Sequence, residues 1–431
     1  MNEFLLYGTA IGLYLLLMWK AGKTFPILYL FIFIYFIQYI FSTYLIYNEY
    51  KVLSYQMPIP LEDYFSYSIL ACAALFAGTL LFAKDIDLRD LMKKIHPQEA
   101  SHLGYLLLFI SLFFDLLQYV GIDIFSSITS FTSYLKYLAA FCFLFSHSTI
   151  NYLTIALIYA QLGIIVLRSG VFISFFIWTM FLFFFVSLRY SINFKLRTLV
   201  LLVFIPVLIA IQGVKTEYRQ KAWKDESKGG LGLWTDLVQK QQDKEDGAFA
   251  ESIGVTRTVG RLSQGWHLGM TLKHVPKKEP FADGREIGID IVSSLIPRAF
   301  YGDKKVVNSQ DKFFKYTGHK LRGSTSMSIG IFGDFYINYG WSGSIIALFI
   351  FGALIARLVY IFIQRYVLAD PINIIWVPFI LSYLIRANND FYIFLNCLVK
   401  GYVIFLAVNF IRYHLLGARK PHPAVTKPVV L

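Results

Sequence analysis

Hydrophobic residues in this chain fall into separate blocks, most of them divided by short polar connections. Roughly twenty apolar residues cross a hydrocarbon layer about 30 Å thick, and the blocks are close to that length. We predict helices for them, because an open strand would leave backbone polar groups unpaired in lipid. The pattern predicts about eleven transmembrane helices, at residues 4–19, 25–47, 64–82, 103–120, 131–146, 150–167, 171–188, 198–214, 339–362, 371–385 and 391–411.

The composition excludes an ordinary soluble domain. Of the 431 residues, 57% are hydrophobic and 16% are charged, whereas soluble domains carry about 25% charged residues. Cys72, Cys142 and Cys397 all lie inside apolar blocks, so they indicate small buried side chains and neither a disulfide framework nor a metal site. The predicted fold class is an all-α polytopic membrane protein with one large extracytoplasmic loop.

Cationic residues on short loops set the expected orientation, since Lys and Arg are retained on the cytoplasmic side. Most of them fall on one side: Lys20, Lys23, Arg89, Lys93, Lys94, Arg189, Lys195, Arg197, Arg365, Arg412, Arg419 and Lys420. The opposite short loops carry little beyond Lys51, Arg168 and Arg386. This asymmetry places the C-terminus in the cytoplasm and the N-terminus outside.

Four segments follow from this topology. Residues 1–214 hold the first group of helices, 215–338 form the large outer loop, 339–412 hold the last helices, and 413–431 form a cytoplasmic tail. The loop is dense in charge and too long for a bare connector. It is either a solvated structural cap or the carrier of a site, because loops on rigid scaffolds commonly hold chemistry. The net charge of +13 comes without a nucleic-acid motif, so no nucleic-acid partner is expected.

The strongest candidate chemistry is a group of cations in this loop. If residues 251–274 are helical, Arg257 and Arg261 project from one face, because they are four residues apart. Arg298 follows, and further cations are Lys304, Lys305, Lys312, Lys315, Lys320 and Arg322. Guanidinium groups match phosphate oxygens in geometry and keep their charge. The cations therefore indicate a site for one anion with phosphate-like oxygens, although a run of charges is also typical of a solvated face.

His319 and Asp334 are the leading candidates for proton transfer, with His267, Glu217 and Asp246 behind them. Metal-ligand spacing is absent from the sequence, so no metal or other cofactor is expected. A glycine-rich entry to the helix after residue 323 would allow close approach of a helix or a phosphate. Further cavity candidates are Arg168, Tyr218, Arg219, Ser324, Tyr336 and Arg386.

These features together resemble the O-antigen polymerase (Wzy-type) family of bacterial repeat-unit polymerases. The layout of many spans with a long outer loop late in the chain is similar. The motifs that carry the resemblance are Arg168-Ser169-Gly170, the stretch through Arg257 and Arg261, Ile296-Pro297-Arg298 with Asp303-Lys304, Gly323-Ser324-Thr325, and the segment from Gly333 to Gly340.

The resemblance implies a GT-C-like, metal-independent glycosyltransferase at the outer face of the bacterial inner membrane. Its donor and acceptor would be polyprenyl-diphosphate-linked oligosaccharides, joined into O-antigen, capsular polysaccharide or exopolysaccharide. Membrane lipid and a chain-length regulator would be its partners. His319 is the first expected proton acceptor and Asp334 the second.

Three other interpretations stay open at this point. An O-antigen ligase-type transferase would use the same donor and a different acceptor. A transporter or flippase would place paired charges within its spans and usually has two related halves. A purely structural envelope scaffold would have no use for the arginines of the loop.

Overall fold

The computed structural model describes residues 3–50, 56–121, 129, 131–170, 172–200, 202–203, 217–218, 221, 230–244, 247–296, 309–321, 323 and 325–415. Within them the chain is helical and no β-strand occurs. The helices are α1 (Glu3–Lys20), α2 (Ile27–Asn48), α3 (Leu61–Phe82), α4 (Arg89–Met92), α5 (Pro97–Tyr119), α6 (Leu135–Leu144), α7 (Thr149–Ser169), α8 (Ile173–Arg189), α9 (Leu231–Lys244), α10 (Gly247–Leu262), α11 (Gly265–His274), α12 (Arg285–Leu295), α13 (Ser309–Thr317), α14 (Gly330–Val367), α15 (Pro371–Leu381) and α16 (Phe391–His414).

Six of the described helices, α2, α3, α5, α7, α14 and α16, are long and apolar enough to cross a membrane. Each of them overlaps one predicted span, so the prediction of a helical membrane protein is confirmed. Shorter apolar helices, α6, α8 and α15, lie at three further predicted positions. Most of the predicted span at 198–214 lies outside the described residues.

Helix α14 begins at Gly330, well before the predicted start of that span at residue 339. It is kinked at Gly340, where φ is +65°, a backbone conformation that glycine adopts at little cost. The segment from 330 to 338 is buried throughout. Residues assigned by sequence to the end of the outer loop are thus the first turns of a core helix.

Helices α3 and α14 form the most closely packed pair of the bundle. A Cβ on Gly78 would overlap the carbonyl oxygen of Phe349, and a Cβ on Gly352 would overlap the carbonyl oxygen of Leu75. Small residues allow such backbone contact between membrane helices. On the outward side of α14, apolar side chains are exposed every four residues, at Ile346, Ile350, Leu354 and Leu358. A stripe of this kind is suited to lipid.

Helices α10 to α13 form a cap over one end of α2, α14 and α16. The prediction of one helix through residues 251–274 is wrong. The helix is interrupted at Ser263 and Gln264, between α10 and α11. The backbone N–H of Gln264 instead donates to the carbonyl of Gln38, at 2.9 Å, within a π-helical turn of α2. The Ser263 and Thr43 hydroxyls are also 2.9 Å apart. These bonds fix the joint of the cap to a membrane helix.

Gly265 allows this joint to sit against the membrane bundle. A Cβ at this position would overlap the Thr43 side chain. Beside the joint, Val255 and Val259 of α10 pack against Leu45 and Ile46 of α2. The cap is therefore anchored by apolar contacts as well as by hydrogen bonds.

Candidate functional site

A cavity of about 400 Å³ lies where the cap meets the bundle, and we call it the outer cavity. Four segments line it: the end of α2, the α10–α11 joint, the stretch before α14, and the start of α16 with the loop before it. Its lining residues are Ile46, Gly260, Arg261, Ser263, Gln264, Trp266, His267, Ser326, Met327, Ser328, Asn388, Asn389 and Ile393.

The cationic side chain of this cavity is Arg261, in the last turn of α10. Arg257 lies one turn earlier on the same helix, as the sequence spacing predicted, and both side chains are exposed. Residues four apart on a helix share a face. Arg257 therefore extends the positive face of α10 away from the cavity wall.

Trp266 is the large aromatic residue in the lining of the cavity. The Trp266 ring stacks on Phe313 at 6.2 Å between centroids and meets His267 edge-on at 5.3 Å. The exposed His319 also packs edge-on against Trp266, at 5.3 Å. His319 therefore reaches the cavity through Trp266, whereas His267 lines the cavity directly.

His267 is the titratable group most affected by this environment. Burial lowers its pKa to about 4, because the protein interior disfavours the charged imidazolium. The ring is therefore neutral near pH 7. Its Nδ1 is buried, and no described residue forms a hydrogen bond with it. A neutral imidazole with an unsatisfied nitrogen is able to bind a polar ligand group.

Next to the cavity, a buried cluster of charges joins four elements, and we call it the lysine clamp. It consists of Lys312 with Asp290, Asp334 and Asp390. The Lys312 ammonium is 2.6 Å from Asp334 Oδ1, 3.7 Å from Asp290 Oδ2 and 4.0 Å from Asp390 Oδ2. The Lys312 side chain is 6% exposed and that of Asp334 is 0% exposed.

Backbone groups complete the clamp. The N–H of Phe391, at the start of α16, donates to Asp334 Oδ2 at 2.7 Å. The N–H of Gly330, at the start of α14, donates to Asp390 Oδ1 at 3.0 Å. The clamp thus ties the cap helices α12 and α13 to the first turns of α14 and α16. Through Asn389 and Asp390, it also fixes one wall of the outer cavity.

The charges of the clamp shift each other's ionisation. Burial disfavours the Lys312 ammonium, but attraction to Asp334, Asp390 and Asp290 outweighs burial and raises the pKa of Lys312. Burial raises the pKa of Asp290 to about 6, despite the opposing effect of Lys312. Burial and the neighbouring carboxylates favour proton retention by Asp290, whereas the Lys312 ammonium keeps its own proton because the carboxylates attract it.

The other predicted site residues that the structure describes do not line the outer cavity. The Tyr336 hydroxyl donates to the carbonyl of Val275 at 3.2 Å. Arg386 stacks on Tyr383, with 4.4 Å between guanidinium and ring. Arg168 is exposed at the end of α7, and the buried Tyr218 donates to the carbonyl of Leu167. Outside the described residues lie Arg219, Arg298, Lys304, Lys305, Arg322 and Ser324.

Sequence reasoning missed Asp290 and the central place of Lys312. Asp290 stands between Ile289 and Ile291 on α12, and an acidic residue inside an apolar pattern was the available signal. Lys312 was one cation among many in a charged segment. Its neighbour Phe313 is 1% exposed, which only the packed structure reveals.

No curated protein and no solved structure is detectably similar to the chain. A family model described as a domain of unknown function, DUF8712, matches residues 28–415. The match takes in the membrane bundle from α2 onward, the cap, the outer cavity and the lysine clamp. Since it covers most of the chain, the protein belongs to the DUF8712 family.

Proposed function

We propose that the protein is a glycosyltransferase that joins polyprenyl-diphosphate-linked oligosaccharide repeat units, as a polymerase of O-antigen, capsular polysaccharide or exopolysaccharide. The observation that carries the proposal is the outer cavity, where Arg261, Trp266 and His267 meet at the ends of membrane helices. A lipid-linked glycan presents its diphosphate and first sugars at this depth, with its tail in the bilayer.

The arginines supply the chemistry that a diphosphate leaving group needs. As the bond from the sugar to the diphosphate breaks, negative charge grows on the departing oxygen. A positioned cation stabilises that charge most in the transition state. Arg261 is the donor inside the cavity, and Arg257 adds charge one turn away. Arg298, Lys304, Lys305 and Arg322 stay predicted members of this site.

The remaining lining residues suit a sugar. Trp266 offers a ring face, and Asn388 and Asn389 offer amide groups that donate and accept hydrogen bonds. For the acceptor hydroxyl, His319 stays the leading candidate predicted from sequence, and His267, which the sequence ranked lower, is supported by its place in the cavity lining. Asp334 has no catalytic role in this proposal, because its carboxylate is fully buried against Lys312 and it lines neither the outer cavity nor the cavity at the other end of α11.

The finer topology is part of the same proposal. It comprises about eleven spans in a GT-C-like arrangement in the bacterial inner membrane, with the cap periplasmic and the C-terminus cytoplasmic. A cysteine at Lys278, exposed in the cap, should react with an impermeant thiol reagent in intact spheroplasts. A cysteine at Ser191 should react only after lysis. The background would carry Cys397→Ala, because Cys72 and Cys142 are already buried. The reverse labelling pattern would invert the topology.

A flippase is the second candidate, and one observation favours it. Lys136 and Asp115 form a 2.9 Å ion pair between α6 and α5, and Ser133 donates to the same carboxylate at 2.5 Å. Ionisable pairs within apolar segments often mark transport pathways. The outer cavity lies elsewhere, where the cap meets the bundle, and its Arg261, Trp266 and His267 fit glycosyl transfer better than transport.

One reconstitution separates these functions. The purified protein in liposomes would receive a lipid-linked repeat unit as its only glycan substrate. A polymerase produces a ladder of longer lipid-linked chains from this substrate alone. A ligase forms product only after a second acceptor is added. A flippase moves the unit across the bilayer without lengthening it. Absence of any ladder from an authentic repeat unit would refute the proposed polymerase.

A further inference from the structure

A second cavity, of about 500 Å³, lies at the other end of α11, and we call it the rim cavity. It is bounded by the loop before α3, the first turns of α3, the end of α11 and the kinked part of α14. The residues that line it are Pro58, Ile59, Pro60, Asp63, Ser66, Tyr67, Leu272, Lys273, Lys277, Tyr336 and Trp341.

The rim cavity contains charges of both signs that do not neutralise each other directly. Lys273 and Lys277 supply two ammonium groups, and Asp63 supplies one carboxylate. Within the described residues, none of these three side chains has an ion-pair partner within 4.0 Å. The cavity therefore offers separate positive and negative positions to one ligand.

The floor of this cavity leads onto the lipid-facing surface of the bundle. On α3, Ser66 lines the cavity and is followed by the exposed Ile69 and Leu70. On α14, Trp341 is 45% exposed and precedes the exposed stripe that begins at Ile346. Tryptophan is enriched at the level of lipid headgroups. A headgroup in the cavity would have its acyl chains on these apolar residues.

We propose that the rim cavity binds the headgroup of a phospholipid with a primary ammonium, of the phosphatidylethanolamine type. Lys273 and Lys277 contact the phosphate, and Asp63 contacts the ammonium. A lipid diphosphate fits less well, because Asp63 would repel it. A headgroup that is only anionic leaves Asp63 without a partner. This inference is independent of the proposed glycosyl transfer.

The test is native mass spectrometry of the delipidated full-length protein in detergent, titrated with dioleoyl lipids of different headgroups. We expect phosphatidylethanolamine to bind about tenfold more tightly than phosphatidylcholine or phosphatidylglycerol. Stepwise N-methylation of the ethanolamine should weaken binding progressively, because each methyl group removes a donor to Asp63. This series uses the wild-type chain alone. Equal binding across it, or a preference for phosphatidylglycerol, would overturn the proposal.

Variants assign the effect to the cavity. Asp63→Asn should abolish the preference for phosphatidylethanolamine over phosphatidylcholine, whereas Glu62→Gln, at the exposed neighbouring position, should preserve it. Replacing both Lys273 and Lys277 by Gln should weaken the binding of all three lipids, whereas Lys278→Gln should leave their binding unchanged. An unchanged preference in Asp63→Asn would place the lipid elsewhere and refute the assignment.

Discussion

The outer cavity and the lysine clamp lie side by side, yet their polar groups differ in exposure to solvent. In the clamp, the charged groups of Lys312, Asp334 and Asp390 face one another or backbone N–H groups, away from solvent. In the cavity, Arg261 is exposed and His267 Nδ1 has no described hydrogen-bond partner.

This difference distinguishes polar residues that stabilise the fold from polar residues that bind a ligand. A buried charge that lost its partner would be very costly, so the clamp makes the joint between cap and bundle specific. The cavity leaves His267 Nδ1 available to a ligand, which a binding site requires. The density of charged residues alone would have favoured the clamp as the site. The burial of the clamp and the exposure of Arg261 point to the cavity instead.

The largest effect should come from removing the central cation of the clamp. Lys312→Met leaves three carboxyl groups facing each other in the interior. Breaking a buried ion pair costs about 3 to 5 kcal/mol. We expect a large fall in the yield of monodisperse protein and in its thermal unfolding temperature in detergent. The matched control is Lys315→Met, on the same helix and 40% exposed. Loss of an exposed pair costs about 1 kcal/mol or less. Equal effects of the two substitutions would contradict a structural clamp.

Substitution of the cavity arginine should cost a similar free energy, but it should lower the rate of polymerisation and not the stability of the fold. Removing one donor to a developing anion costs about 2.7 to 4 kcal/mol, so Arg261→Ala should slow ladder formation about a hundredfold. Arg261→Lys should stay impaired, because an ammonium lacks the two-pronged geometry of guanidinium. Arg285→Ala, an exposed cation that lines neither cavity, should retain the wild-type rate. Wild-type polymerisation by Arg261→Ala would exclude this arginine from the site.

The raised pKa of Asp290 in the lysine clamp should make the stability of the protein depend on pH. The pKa of Asp290 is about 6 in the folded chain, above its ordinary value of 3.8. Between these values the folded state binds more protons than the unfolded state, so the contribution of Asp290 to stability falls as pH rises from about 4 to 6. The groups that act on Asp290 are Lys312, Asp334, Asp390 and Glu286.

Asp290→Asn removes this ionisation and mimics the protonated carboxyl group. Its stability relative to the wild type should therefore increase from pH 4 to pH 6, by up to about 3 kcal/mol, the free-energy equivalent of raising the pKa from 3.8 to about 6. Unfolding temperatures of the two proteins, measured in parallel across this range, test the prediction. Parallel curves would contradict a raised pKa in the clamp.

The smallest effect should come from the joint that holds the cavity open. In Gly265→Ala, the new Cβ would overlap Thr43 and push α11 away from α2. Overpacking of this kind costs about 1 to 3 kcal/mol. We expect a several-fold loss of ladder formation with a modest loss of stability. Gly288→Ala is the control, because a Cβ there meets nothing within 4 Å. Equal activity of both variants would show that the joint does not control the cavity.

Much of the architecture could be predicted from sequence because it depends on local properties. The length and apolarity of each block predict a membrane helix without reference to any other segment. The spacing of Arg257 and Arg261 likewise places both on one helix face. The kink at Gly340 and the early start of α14 were not visible, because the polar residues Asp334 and Asn338 interrupt the apolar pattern there.

The sequence by itself therefore determined that this is a helical membrane protein with a charged cap, and that arginines lie on one face of α10. Only the tertiary structure decided that Asp290, Lys312, Asp334 and Asp390 meet, since they come from segments far apart in the chain. It also decided that the helix breaks at Gln264, whose N–H bonds to Gln38 of α2. The physical reason is the same in both cases. A buried polar group needs a partner. The partner that packing provides is distant in sequence, so the residues around the group do not reveal it.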